Sequence, residues 1–187
     1  MLVRYAPGMD TMVALLRGIN VGGKNRLPMQ DLRELLTELG CEDVKTYIQS
    51  GNAVFRCDAD IATLPRLICS AIEERFGFGP QVLVMTASRF ESIVAGNPFA
   101  GKVADPRSVH VSFLDEEAIA ADVERMHSEC KDNESFRLTK HALYFHAPDG
   151  IGRSAFASKA EKLLGVAATG RNWRTVCKIA EILRSVV

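Results

Sequence analysis

The most restrictive feature of this chain is the order in which strand-length and helix-length apolar runs follow one another. Residues 12–19, MVALLRGI, form an apolar run of strand length. Pro28 then suits the first turn of a helix, because its fixed φ and missing N–H cost nothing there. Leu32, Leu35, Leu36 and Leu39 follow at helical spacing, and Gly40 supplies a stop. VKTYIQ and NAVFRC read as strands joined at Ser50-Gly51-Asn52, a hairpin turn. Ile61, Leu64, Ile68, Ala71 and Ile72 define a second helix ending near Gly77, and QVLVMT is a closing strand.

A connecting helix over residues 88–96 stops at Asn97-Pro98, and the same order then restarts. SVHVSFL is a strand, and residues 116–130 carry Ile119, Val123 and Met126 on a helical stripe. SFRLTKH and ALYFHAP pair as a hairpin, SAFASKAEKLLG is a helix, VAATGRN a short strand, and Val176, Ile179, Ala180 and Leu183 mark a last helix. The expected fold is α+β, with duplicated ferredoxin-like βαββαβ units and mainly antiparallel sheets. The expected division is a disordered leader over 1–11, a first unit over 12–87, a connecting helix and loop over 88–107, and a second unit plus C-terminal helix over 108–187. Met9 and Met12 are alternative starts, and the first eleven residues lack the apolar core of a signal peptide.

This topology also places loops. If the first strand of a unit runs up, its strand-to-helix loop and the hairpin turn lie at the same end of the sheet. In the first unit these are the stretch RGINVGGKNR, residues 17–26, and the turn Ser50-Gly51-Asn52. They are expected to meet.

Charge sharpens the reading. The 187-residue chain has zero formal net charge, 47% hydrophobic and 25% charged residues, a soluble globular profile. Residues 11–30 hold three basic groups and no acid, and residues 150–180 hold six basic groups and one acid, so the remainder carries a net charge of −8. Two positive segments on a negative body favour a localised anion site over general adhesion to nucleic acid or membrane. No apolar run reaches the roughly 20 residues of a membrane span.

The first positive segment has the chemistry of an anion cradle. Glycines permit close approach to backbone N–H groups, and a loop feeding a helix start presents unpaired N–H groups and the positive dipole end. The expected ligand-binding set here is Arg17, Gly18, Asn20, Gly22, Gly23, Lys24 and Arg26, joined by Gln49, Ser50 and Asn52 from the hairpin. Arg26 has the fork that grips phosphate or carboxylate. The competing reading is a loop that needs its glycines to turn, with solvated basic groups. Neither GxxxxGK[ST] nor GxGxxG is present. In the second unit, the strand exits DGIGRS and TGRNW are expected to share one sheet end, bringing Gly150, Gly152, Arg153 and Gly170 together with Arg171, Asn172 and Trp173.

Other chemistry is sparse. Cys41, Cys57, Cys69, Cys130 and Cys177 are odd in number and scattered, so free thiols and a reducing, cytoplasmic setting are expected. His110, His127, His141 and His146 lack metal-ligand spacing, no metal or cofactor is expected, and adjacent Ser158 and Lys159 point different ways on a helix. No catalytic acid–base pair stands out, and oligomeric state is not fixed.

The strings LLRGINVGGKNRLPM, LRELLTELG, TYIQSGNAVF, NPF and ATGRNWRTV resemble the bacterial family known only as domain of unknown function 1697, from about residue 12 to 183. The resemblance implies a small cytoplasmic protein with duplicated ferredoxin-like halves and no assigned activity. Its motif positions fall on Arg17, Gly18, Asn20, Gly22, Gly23, Lys24, Gln49, Ser50, Gly51, Asn52, Arg171, Asn172 and Trp173. The chain departs from the family pattern before Lys159, where members are more polar, and at Arg174, where asparagine is common.

The leading functional expectation is binding of a small anionic, phosphate- or nucleotide-like ligand. One alternative is fold analogy with acylphosphatases, with Arg26 as phosphate clamp and Asn52 as water holder. Another is single-stranded RNA binding, which needs exposed aromatics on the sheet; Tyr47, Phe55, Phe113, Phe136, Tyr144 and Phe145 are the candidates.

Overall fold

The computed structural model describes residues 8–186. It contains two four-stranded antiparallel sheets with helices, and the chain divides into two compact units. One runs up to Glu91 and resumes at Lys178; the other is Ser92–Cys177.

The first unit contains β1 (Asp10–Arg17), α1 (Met29–Glu38), β2 (Glu42–Tyr47), β3 (Asn52–Cys57), α2 (Leu64–Phe76) and β4 (Gln81–Thr86), in the sheet order β2-β3-β1-β4. That order is the ferredoxin-like arrangement expected from sequence. The register divides side chains between faces. Met12, Ala14 and Leu16 stand with Phe55, Ala53 and Val84 and pack on Leu32 and Leu36 of α1 and Ile68 and Ile72 of α2. Val13 and Leu15, opposite Val54, Asn52, Met85 and Leu83, form the other face, and all six are buried. A central strand covered on both faces reads as a continuous apolar run.

The helix α3 (Ala87–Ala95) leads to β5 (Val109–Leu114), α4 (Val123–Glu129), β6 (Ser135–Leu138), β7 (Ala142–His146), α5 (Ala155–Leu164), β8 (Ala168–Asn172) and α6 (Trp173–Leu183). The second sheet repeats the order, β6-β7-β5-β8. Leu114, Leu143 and Phe145 pack on Met126, Phe156 and Leu164, with the Phe145 and Phe156 rings 4.8 Å apart. On the opposite face, Val111 lies between Tyr144 and Arg171, and the Tyr144 hydroxyl donates to the Ile93 carbonyl at 2.7 Å.

Three boundaries differ from expectation. The strand β1 already begins at Asp10, so residues 10 and 11 belong to the sheet rather than to a leader; residues 1–7 of the expected leader lie outside the described residues. The helix α4 starts only at Val123, because the Asp122 carboxylate accepts from Arg125 N–H and sets the helix start there. Ile119, expected on its buried stripe, is therefore 87% exposed. Finally, α6 does not belong wholly to the second unit. Its turns from Lys178 join the first, where Lys45 Nζ donates to the Ser185 carbonyl at 3.2 Å.

Candidate functional site

In the first unit the glycine-rich loop and the hairpin turn meet, and Asn20 joins them. Its Oδ1 accepts from Leu27 N–H at 2.8 Å, while its Nδ2 donates to the Leu27 carbonyl at 2.8 Å and the Gln49 carbonyl at 2.9 Å. Leu16 N–H donates to the Gly51 carbonyl at 2.8 Å, closing the junction from the strand side. Gly51, at φ +76°, fits because a Cβ there would lie 2.7 Å from Leu16 Cβ and 2.8 Å from Ile19 Cδ1.

Within the loop the chain makes a miniature hairpin. Asn20 N–H donates to the Asn25 carbonyl and Lys24 N–H to the Val21 carbonyl, with Gly22 and Gly23 at φ +59° and +75° between them. Positive φ at both central positions is the primed turn that two glycines make easily. Asn25 Nδ2 donates to the Gly18 carbonyl at 2.9 Å, holding the base of this hairpin. Gly22 and Gly23 thus serve the turn, which is the competing reading of the loop.

Beside this junction lies an open cleft of about 380 Å³ lined by Asn20, Arg26, Pro28 and Gln49. Arg26 is exposed and has no hydrogen bond or ion pair among the described residues. The helix α1 starts immediately after Pro28 with no side chain accepting from its first N–H groups, although Asp31 places a carboxylate in the first turn. The next turn carries a strain that the sequence does not signal. Ile48 sits at φ +48° and is 47% exposed, an uncommon backbone region for a β-branched residue. The cleft role of Pro28 also has no sequence signal beyond helix initiation.

Other residues of the expected set stand elsewhere. Arg17 Nη1 donates to Gln81 Oε1 of β4 at 3.4 Å. Lys24 is exposed on the miniature hairpin. Asn52 is only 1% exposed, opposite Leu15 in the sheet, and its Nδ2 donates to the Tyr47 carbonyl and Ser50 Oγ. It braces the turn instead of facing the cleft.

The second expected patch is not an open cradle. Arg171 lies on β8 opposite Val111, is 9% exposed, and donates from Nη1 to the Gly170 carbonyl at 2.8 Å. Burial pulls its guanidinium down to about 10. Asn172 donates from Nδ2 to the Arg107 carbonyl, and its Oδ1 accepts from Arg174 N–H at the start of α6. Trp173, the first residue of α6, is buried. Gly150, Gly152 and Arg153 leave β7, which β5 separates from β8, at the sheet end that Arg171 shares.

The remaining chemistry is structural. Ser158 Oγ donates to the Ala155 carbonyl and Lys159 pairs with Glu129, so the two form no nucleophile–base pair. The hollow between α1 and α2 is spanned by the Arg75–Glu38 ion pair. Cys41 Sγ lies 3.4 Å from Cys57 Sγ, and burial pushes the Cys41 thiol well above its ordinary value, with Cys57 and Asp58 adding to the shift. All five cysteines are free thiols. No cluster of metal-ligating side chains occurs among the described residues, and none of their helices is long and apolar enough to cross a membrane.

Comparison with known proteins places this geometry. A solved structure described as the conserved bacterial protein SP0830 from Streptococcus pneumoniae is similar over 94% of this chain and 99% of its own, at 26% identity and a TM-score of 0.74. An unknown protein from Galdieria sulphuraria reaches 12% identity and a TM-score of 0.26, with 96% of this chain and 91% of its own covered. No curated protein matches. The family model described as "Protein of unknown function (DUF1697)" matches residues 9–144, which include the loop, the hairpin and the cleft and exclude Arg171, Asn172 and Trp173. This chain belongs to the DUF1697 family.

Proposed function

We propose that the cleft of the first unit binds a small anionic ligand, phosphate- or nucleotide-like. The observation that carries this reading is the pairing of an unpartnered, exposed Arg26 with a wall that hydrogen bonds already hold in place. Pre-formed walls reduce the ordering cost of binding, and a guanidinium beside free helix N–H groups recognises anionic oxygens. Gln49 adds a neutral group for orientation. A reducing, cytoplasmic setting for the five free thiols belongs to the same proposal.

Both alternatives lose support. The hydrolase analogy needs Asn52 to hold water near Arg26, but Asn52 is buried in the hairpin brace. The RNA reading needs an open sheet face with accessible aromatics, whereas Phe55, Phe113, Tyr144 and Phe145 are buried and Tyr47 and Phe136 are half-buried.

The test is calorimetric titration with inorganic phosphate, pyrophosphate and adenosine 5′-monophosphate, using wild type, Arg26→Ala and Arg171→Ala. Arg26→Ala is expected to weaken binding by about 1.5–3 kcal/mol, the worth of a charge-assisted hydrogen bond, while melting is unchanged. Anions that bind Arg26→Ala and wild type equally, or bind neither, overturn the reading. Salt-dependent binding of single-stranded RNA in the parallel titration would replace it.

A further inference from the structure

The strand β6 is an outer strand of the second sheet, with β7 on its inner side. Thr139 N–H donates to the Ala142 carbonyl at 2.9 Å where the two strands turn into each other. The antiparallel alternation therefore points the backbone groups of Thr139, Arg137 and Ser135 toward β7 and those of Phe136 and Leu138 off the outer edge. Beside this edge runs a groove of about 420 Å³, walled by Gly96, Pro98 and Phe99 across from Ser135, Arg137 and Thr139. A second hollow of about 190 Å³ adjoins it, sharing Gly96 and Thr139 and adding Lys140.

Two features indicate an occupant. No acidic side chain lines either hollow, and Arg137 is exposed with no hydrogen bond or ion pair among the described residues. Pro98 and Phe99 make part of the wall apolar.

We propose that this groove takes an extended acidic peptide segment of a partner protein, added to β6 as a further antiparallel strand. One occupant then answers every feature. Its main chain pairs with the outward N–H and C=O groups of Phe136 and Leu138, an acidic residue lies directly opposite Arg137, and apolar residues two positions to either side lie against Pro98 and Phe99. A second copy of β6 fits poorly, because antiparallel pairing about Arg137 sets two guanidiniums face to face. This surface is separate in sequence and chemistry from the Arg26 cleft, and neither proposal depends on the other.

The experiment uses the isotope-labelled full chain and the acetylated, amidated pentapeptide Val-Thr-Glu-Thr-Val at millimolar concentration, followed by amide NMR. Shifts are expected at Phe136–Thr139 and Gly96–Phe99, with slowed hydrogen exchange at the Phe136 and Leu138 amides. Replacing the central Glu by Lys weakens binding about fivefold, the upper worth of a cross-strand charge pair. Arg137→Glu reverses that preference, with the rest of the spectrum unchanged. The same peptide N-methylated at both threonines does not bind, because those residues face Phe136 and Leu138. The proposal is overturned by shifts that miss β6, by N-methylated peptide binding as well as the parent, or by an unchanged preference in Arg137→Glu. Broadening of β6 amides with protein concentration alone also overturns it, by identifying self-association.

Discussion

Arg26 and Arg171 each stand beside an asparagine in a positively charged segment, yet the structure uses them in opposite ways. Arg26 follows a loop that leaves the sheet, so its guanidinium reaches solvent at a cleft. Arg171 is a strand residue opposite Val111, and its guanidinium is carried into the covered face of the second sheet. A charged head in water retains its hydration and is available to a ligand; a buried one has lost that hydration to the fold. Local sequence counts both as positive charge, but only the position of the backbone determines which one a ligand can reach.

The contrast can be broken most strongly at the junction that holds the cleft open. Gly51→Ala forces a Cβ against Leu16 and Ile19 at a positive φ, and is expected to lower stability by about 3 kcal/mol, read by urea unfolding. Next comes Arg171→Ala, expected to cost about 2 kcal/mol through lost packing and hydrogen bonding while anion affinity of the folded protein stays unchanged. Arg171→Met, which keeps the volume and removes the charge, should recover most of that loss. Reduced anion binding in either variant at temperatures where it is fully folded would unite the two regions into one site.

A smaller effect is expected at Asn20. Asn20→Gly keeps the positive φ and removes the three side-chain hydrogen bonds, for a loss of about 1–2 kcal/mol in chemical denaturation. If the wall must be pre-formed, this variant also loses anion affinity although Arg26 is intact. The smallest effect is a pH dependence in the second unit. Burial holds the His110 imidazole below its ordinary value of 6.5, so the unfolded chain takes up a proton before the folded chain does. Stability is therefore expected to fall as pH drops through about 6.5 and to level off below the folded value; His110→Gln removes that slope. A wild-type melting curve indifferent to pH across this window would show that His110 is hydrated.

Much of the fold was legible because runs of apolar residues separate cleanly by length. The strands β3 and β4 occupy the stretches expected of them, NAVFRC and QVLVMT. The start of α4 differs from the expected one because Ile119, Val123 and Met126 share a helical spacing, whereas the Asp122 cap decides where the helix begins. Site residues were harder. The meeting of loop and turn followed from strand direction alone, and Asn20 realises it. Burial of Asn52 and Arg171 did not follow, because it depends on cross-strand neighbours, Leu15 and Val111, and on the covering of sheet faces that composition does not reveal. The unusual backbone of Ile48 has no counterpart in local propensity at all.

The division of the chain also has a consequence for the order of synthesis. The first unit lacks its final segment until residues from Lys178 have been made, after all of Ser92–Cys177. A ribosome therefore releases the inserted unit complete before the unit that began first. Domains generally fold as they emerge from the N-terminal end. Here the earlier half must wait with its Lys45 partner missing, and the last turns of α6 with Ser185 beyond them arrive as a clasp on a unit whose strands have all been made.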